Sequence, residues 1–132
     1  LILVIALGIV FDMVGMAAVS ANEATFHSMS SNKIKGAKES IGLIKNSSSI
    51  SSICQDVIGD VCGVISGSLG AVLAISLSTS TGIDNTIVSI LLSAFISTAT
   101  VGGKAITKPI TMKSADKIVH MVGKLKNILK IK

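Results

Sequence analysis

Long uncharged stretches alternate with lysine-bearing ones along this chain. Residues 61–83 form a run of 23 without a charge, and residues 85–103 form a second run of 19. Each run is close to the roughly 20 apolar residues that a helix needs to cross the ~30 Å hydrocarbon core of a bilayer. The serine, threonine, glycine and asparagine residues between them predict a short turn over 77–86. The pattern therefore predicts an antiparallel helical hairpin, with spans at about 57–78 and 86–105.

The first stretch, residues 1–21, is apolar except for Asp12. Its length predicts a third span, although the triplet at 19–21 also resembles the small-residue cleavage site of a secretory signal. We favour a retained span, because an acidic residue at the centre suits the interior of a helix bundle. The predicted fold class is therefore all-α integral membrane, with three transmembrane helices forming a single domain over residues 1–132.

The two polar segments predict further helices. In the connector, residues 22–53, the spacing of apolar positions between Met29 and Lys45 predicts a cytoplasmic juxtamembrane helix. In the tail, residues 114–132, apolar positions including Ile131 lie opposite lysines with a period near 3.6, which predicts an amphipathic helix on the inner leaflet. The glycine pair at 102–103, followed by Pro109, predicts that the third span ends or kinks before Lys104.

Composition also indicates a membrane protein. Hydrophobic residues make up 49% of the chain and charged residues 14%, with a mean hydropathy of +0.76. Soluble domains carry about 25% charged residues. Two cysteines, Cys54 and Cys62, are too few for a disulfide scaffold, and their spacing predicts reduced, packed thiols. His27 and His120 lie in no catalytic motif, so we do not expect an enzyme.

Lysine supplies every basic side chain, and its distribution predicts the topology. Four lysines lie in the connector and eight follow the third span, whereas the hairpin loop around Gly82 has none. By the positive-inside rule, the connector and tail are cytoplasmic, and the hairpin loop and N-terminus lie outside the cell. The basic balance thus indicates a multi-pass cell-membrane protein beside anionic headgroups. Nucleic acid is not an expected partner, because no aromatic residues are interleaved with the lysines.

Ionisable residues inside or beside a span are functional candidates, because burying a charge in the bilayer is costly. Asp12 lies in the first span, Asp56 and Asp60 lie at the cytoplasmic end of the second, and Lys104 lies near the end of the third. Two plainer interpretations stay open. In one, Asp56 and Asp60 lie at headgroup level; in the other, the Lys104 side chain snorkels to the inner face.

Small residues recur along the second span. They are Gly59, Gly63, Gly67 and Ala71 at every fourth position, with Ser66, Gly70 and Ala74 on the adjacent ridge. This spacing lets helix backbones approach closely and is typical of a packing interface, so we expect a homodimer through these faces. The alternative is that the groove presents carbonyl oxygens and the Ser66 hydroxyl to magnesium or calcium, which prefer oxygen ligands.

The order of these features resembles the three-span transmembrane domain of the CNNM/CorB/CorC (cyclin-M) magnesium transport proteins. Residues 11–29 resemble the first-span segment FSGSETAL and the helix after it. Residues 35–65 resemble the connector helix and the second span with its GNN motif, and residues 103–119 resemble the GEIxPK stretch. The likeness covers nearly the whole chain, although each motif is degenerate. These residues do not accommodate the family's nucleotide-binding CBS domains, so the resemblance implies no ATP regulation.

The resemblance implies a magnesium site at defined positions. The first-span motif serines fall on Asp12 and Val14, the asparagine region falls on residues 55–60, and the GEIxPK glutamate falls on Lys104. Together with the groove hydroxyl, this predicts four ligands: Asp12, Asp56, Asp60 and Ser66. The ion-site glutamate is replaced by Lys104, whose charge would repel a cation.

The resemblance predicts a divergent membrane-embedded transport domain for magnesium or a similar divalent cation. The alternative is a non-transporting membrane scaffold or regulatory subunit that assembles with a membrane-protein partner. In that alternative Lys104 replaces the cation and pairs with Asp12 or Asp60.

Overall fold

The computed structural model describes residues 1–130, which are almost entirely helical and contain no strand. The helices are α1 (Ile2–Ser20), α2 (Glu23–Ser31), α3 (Ala37–Lys45), α4 (Ser47–Ser52), α5 (Gly59–Thr81), α6 (Asn85–Lys113) and α7 (Ala115–Lys130), with a π-helical turn at Ile53–Ile58 joining α4 to α5. The predicted all-α class is confirmed. Ile131, part of the predicted amphipathic tail, lies outside the described residues.

Three helices are long and apolar enough to cross a membrane, as the hydropathy pattern predicts. They are Ile2–Ser20 with 19 residues, the continuous helix Ser47–Thr81 with 35, and Asn85–Lys113 with 29. The second of these begins about ten residues before the predicted span, because α4, the π-helical turn and α5 form one uninterrupted rod.

The turn between α5 and α6 is shorter than predicted. Helix α5 continues to Thr81 because the hydroxyls of Thr79 and Thr81 donate to carbonyls one turn earlier, which satisfies these polar side chains inside a helix. Gly82 then ends the helix at φ +71°. The Asp84 carboxylate accepts from the Thr86 backbone N–H and caps α6, and this hydrogen bond lowers the pKa of Asp84.

Of the two alternatives predicted at residues 102–103, an end or a kink, the end is wrong. Helix α6 passes through Pro109 and ends at Lys113. Proline removes one backbone hydrogen bond from a helix interior. Residues beyond it are nevertheless held by packing, since Thr111 is fully buried and Ala115 is nearly so. The Thr107 hydroxyl also donates to the Gly103 carbonyl at 3.0 Å.

The connector contains three helices, α2, α3 and α4, where one was predicted between Met29 and Lys45. Helices α2 and α3 are separated by a turn in which Lys33 and Gly36 adopt left-handed backbone angles, at φ +55° and +87°. Asn22 caps α2 through a hydrogen bond from the Ala24 N–H, and its own N–H donates to Asp116 at the start of α7, at 2.9 Å. This contact brings the end of α1 to the end of α6.

The buried core lies at this end of the molecule, where α1, α2, α3 and α7 meet; we call this region the head. Its centre is the cluster of Ala17, Phe26, Ala115 and Val119. The hairpin of α5 and α6 is packed far more lightly. In the apolar stretches of the two long helices that form it, Ser47–Thr81 and Asn85–Lys113, only 17% and 11% of the residues are buried. The chain therefore combines a packed helical head with a long hairpin whose apolar faces are left exposed.

Helices α3 and α7 cross within the head at glycines. A methyl group on Gly123 would lie 2.7 Å from the Gly36 carbonyl oxygen and 3.0 Å from the Ser40 nitrogen. The Ser40 hydroxyl is fully buried between the helices, where it lies 2.8 Å from the Gly36 carbonyl oxygen and 3.2 Å from that of Val119. The close approach of these backbones requires glycine at position 123.

Candidate functional site

Helix α1 packs against both helices of the hairpin through small residues. Gly8 faces Cys62 on α5, and Gly15 faces Cys54 in the π-helical turn that precedes α5. Methyl groups added at these glycines would lie 3.1 and 3.0 Å from the cysteine Cβ atoms. Because the sequence positions run in opposite directions, α1 and α5 are antiparallel. The two thiols are free, as predicted, and their compact side chains allow this close packing.

An ion pair joins α1 to α6 beside α5. The Lys104 Nζ lies 3.6 Å from Oδ1 of Asp12, and the two side chains are 30% and 10% exposed. Gly59 of α5 completes the site, since a methyl there would lie 3.3 Å from the Lys104 Nζ. One carboxylate and one ammonium thus neutralise each other where three apolar helices meet.

The length of α6 determines where this ion pair lies along the hairpin. Between Asn85 and Lys104 the helix rises by about 30 Å, close to the thickness of a hydrocarbon core. Helices α1 and α6 run parallel, because Ile9 packs against Gly103, Asp12 against Lys104, and Asn22 against Asp116. Asp12 therefore lies level with the head end of the hairpin and not midway along it.

The four predicted metal ligands do not come together. Asp56 and Asp60 are exposed, and neither forms an ion pair within residues 1–130. Within the same range, no group of three or more histidine, cysteine, aspartate or glutamate side chains is placed to hold a metal. Ser66 is 1% exposed, and its hydroxyl has no hydrogen-bond partner among the described residues. Only Asp12 therefore lies beside Lys104.

Within the chain, α5 packs mainly through the ridge of Ser66, Gly70 and Ala74, and not through the predicted ridge of Gly63, Gly67 and Ala71. The buried positions of α5 are Gly59, Ser66, Gly70 and Ala74. Gly70 lies against the side chain of Ile96 on α6, whereas Gly63 and Gly67 have open space around them and Ala71 is exposed. Of the predicted packing face, only Gly59 makes a close intrachain contact. Gly63 and Gly67 instead border an open groove of about 230 Å³ whose other wall is α6.

The head carries polar contacts that sequence reasoning missed. Glu39 on α3 accepts a hydrogen bond from the Asn127 side chain on α7 at 3.1 Å. A hydrogen bond from its own backbone N–H, then the Asn127 amide, and then Lys130 and Lys126 lower the pKa of Glu39. The hydrogen bond between Asn22 and Asp116 was also missed. The partners in these two hydrogen bonds are separated by 88 and 94 residues in the sequence, so no local sequence pattern predicts them.

Comparison with protein-family models, curated proteins and solved structures finds no match to this chain.

Proposed function

We propose that this chain is a multi-pass membrane domain that does not transport cations and that assembles with or regulates a membrane-protein partner. The observation that carries the proposal is the ion pair between Asp12 and Lys104. In this arrangement the Lys104 ammonium takes the position beside the buried carboxylate that a bound cation would otherwise take.

Electrostatics favours this interpretation over transport. A divalent cation bound to Asp12 would lie close to the Lys104 ammonium, and like charges at such short range repel strongly outside bulk water. Magnesium is usually held by one or two carboxylates together with waters or phosphates. Here the buried carboxylate of Asp12 is already paired with Lys104, and Asp56 and Asp60 are exposed.

The membrane setting of the proposal rests on the three long apolar helices and on the lysine distribution. We place the hairpin turn at Gly82 outside the cell and the head, with its lysines, in the cytoplasm. The resemblance to the cyclin-M transmembrane domain supports the same arrangement, and it assigns the substituted ion-site position to Lys104. A homodimer through the exposed small-residue face of α5 belongs to the same proposal.

Transport of magnesium is the second candidate, and two observations favour it. The distance of 3.6 Å between the Lys104 Nζ and Oδ1 of Asp12 exceeds the 2.7–2.9 Å of a tight charge-assisted hydrogen bond, so the pair opposes a competing cation less than a direct hydrogen bond would. In addition, the buried Ser66 hydroxyl lacks a partner among the described residues and is an oxygen ligand of the kind that magnesium accepts.

A magnesium titration of thermal stability in detergent separates the two candidates, with calcium and sodium as comparison ions. Binding to the folded state raises stability by RT ln(1 + [L]/Kd). We expect no magnesium-specific rise for the wild type. For Lys104→Glu, which restores the carboxylate of the resembled motif beside Asp12, we expect lower stability that magnesium specifically recovers.

Lys108→Glu is the matched control, because it makes the same charge change at an exposed position of α6 one turn away. It should show no magnesium-specific recovery. A saturable, magnesium-specific rise in the wild type that disappears in Asp12→Asn would overturn the proposal and establish the transport candidate.

A further inference from the structure

An apolar groove of about 680 Å³ lies between α1 and α7 on the outer surface of the head. Its α1 wall includes Val10, Phe11 and Val14, and its α7 wall includes Met121, Val122 and Leu125. Met121 and Leu125 are 71% and 59% exposed, so the rest of the chain leaves this surface uncovered. The volume falls within the range of about 300–1,000 Å³ typical of small-molecule pockets.

A lysine among its lining residues distinguishes this groove from the other apolar faces. Lys124 is the only charged residue among those that line it. Lys117 lies two helical turns earlier on the same face of α7 and is also exposed. No aspartate or glutamate lines the groove, so an anionic group at its mouth would meet only positive charge.

The level of the groove matches that of a membrane surface. Val10 and Val14 flank Asp12, which lies about one hydrocarbon thickness from the hairpin turn along α6. In the topology proposed above, this is the boundary between the acyl chains and the headgroups of the inner leaflet. The α1 wall then faces acyl chains, while Lys124 lies at headgroup level.

We propose that this groove binds an anionic phospholipid of the inner leaflet, with an acyl chain between α1 and α7 and its phosphate beside Lys124. An acyl chain suits the apolar walls, and the headgroup charge complements the Lys124 ammonium. A second copy of this chain fits less well, because the lysines of two copies would repel each other across the contact. The inference rests on the membrane setting of the proposed function, but not on whether the domain transports ions.

The absence of tryptophan and tyrosine from the chain makes a direct test available. Phe11→Trp places a single fluorophore in the groove wall, and Phe95→Trp places a control on α6, outside the groove and 73% exposed. Each variant is reconstituted in phosphatidylcholine vesicles containing brominated phosphatidylglycerol or brominated phosphatidylcholine. Quenching is then measured against the mole fraction of the brominated lipid.

For Phe11→Trp, we expect half-maximal quenching at a phosphatidylglycerol fraction roughly five-fold lower than for phosphatidylcholine, as one lysine near an anionic headgroup predicts. Adding Lys124→Gln should remove this preference, whereas adding Lys45→Gln, an exposed lysine outside the groove, should keep it. Phe95→Trp should be quenched equally by the two lipids. Met121→Trp provides a second reporter in the groove should Phe11→Trp fail to fold.

Equal quenching of the groove reporter by the two lipids would overturn the proposal, as would a preference that survives Lys124→Gln. If the control reporter showed the same preference, the enrichment would be general and the groove would not be a site. If neither reporter were quenched by any brominated lipid, the membrane setting itself would be wrong, and the proposed function would fail with it.

Discussion

Lys104 and Asp12 form an ion pair between parallel helices, but the two residues are not equally buried. The Asp12 side chain is 10% exposed and that of Lys104 is 30% exposed, with 3.6 Å between Oδ1 and Nζ. A long lysine side chain can carry its ammonium to water when its partner is removed. A short aspartate on a packed helix has no such freedom. The two halves of the pair therefore differ in what their removal costs.

We predict that Lys104→Met destabilises the protein more than Asp12→Asn does. The first variant leaves a buried carboxylate without a partner, at a cost of about 3 kcal/mol. The second leaves a partly exposed lysine that can reach solvent, at a cost of about 1 kcal/mol. Thermal unfolding in detergent, followed by the helical circular dichroism signal, measures the difference.

The double variant Asp12→Asn/Lys104→Met tests the pairing itself. It removes both charges together, so it should cost less than the sum of the single variants. A charge swap between the two positions should likewise be tolerated better than either single charge reversal. Strictly additive losses would show that the two side chains do not interact.

The crossing of α3 and α7 predicts contrasting effects of alanine at two glycines. Gly123→Ala would bring a methyl group against the Gly36 carbonyl and the Ser40 backbone, so we expect a loss of about 2 kcal/mol or more. Gly42→Ala lies within α3 with open space around it, and we expect a gain of up to about 1 kcal/mol from helix propensity. Unfolding midpoints of the two variants provide the measurement. Equal effects would contradict the packing described here.

Leucine substitutions at two glycines on neighbouring ridges of α5 distinguish an effect on folding from an effect on dimerisation. Gly70→Leu should cost about 1–3 kcal/mol, because the side chain of Ile96 already fills the space. Gly67→Leu enters open space, so the fold should keep its stability within about 0.5 kcal/mol. If copies pair through the small-residue face, Gly67→Leu should shift the protein from dimer to monomer in light scattering. An unchanged molar mass at matched concentration would exclude that face as the dimer contact.

The Glu39 carboxylate predicts a pH dependence of the head. Its folded-state pKa lies below the ordinary value of 4.5, so its contribution is fully present above that pH and disappears as the pH falls through the folded-state value. The difference in unfolding midpoint between the wild type and Glu39→Gln should therefore be constant well above pH 4.5 and should shrink below it. A difference that grows on acidification would show that the sign of the pKa shift is wrong.

The hydropathy pattern was sufficient to predict the three long helices, because charge gaps of about 20 residues leave few alternatives. It was less reliable for helix ends. The serine and threonine residues near Thr81 suggested a turn, yet the hydroxyls of Thr79 and Thr81 donate to carbonyls of their own helix and continue it. Pro109 similarly suggested an end that packing beyond it overrides.

The candidate site was predictable in its residues but not in its arrangement. Asp12 and Lys104 stand out because they are charges in apolar surroundings, and the sequence leaves Asp12 and Asp60 as alternative partners of Lys104. Whether Lys104 pairs with Asp12 or with Asp60 depends on the rotation of α5 about its axis. In the observed rotation Gly59 is buried and the next residue, Asp60, is exposed. Helix rotation follows from contacts with α1 that lie far away in sequence, such as that of Cys62 with Gly8.

Helix α6 fixes the distance between two contacts that lie at different levels of the molecule. Lys104 pairs with Asp12 at the head end of the hairpin. Asp116, just beyond the end of α6, accepts a hydrogen bond from the Asn22 N–H within the head. Both contacts join α1, or the residue just after it, to α6 or the residues just after it. Helix α6 therefore sets the distance and the rotation between the two contacts. Removing one residue between Lys104 and Lys113 would turn the lysine by about 100° relative to the head. Amino-acid composition would barely change, yet the charge pair and the head could no longer form together.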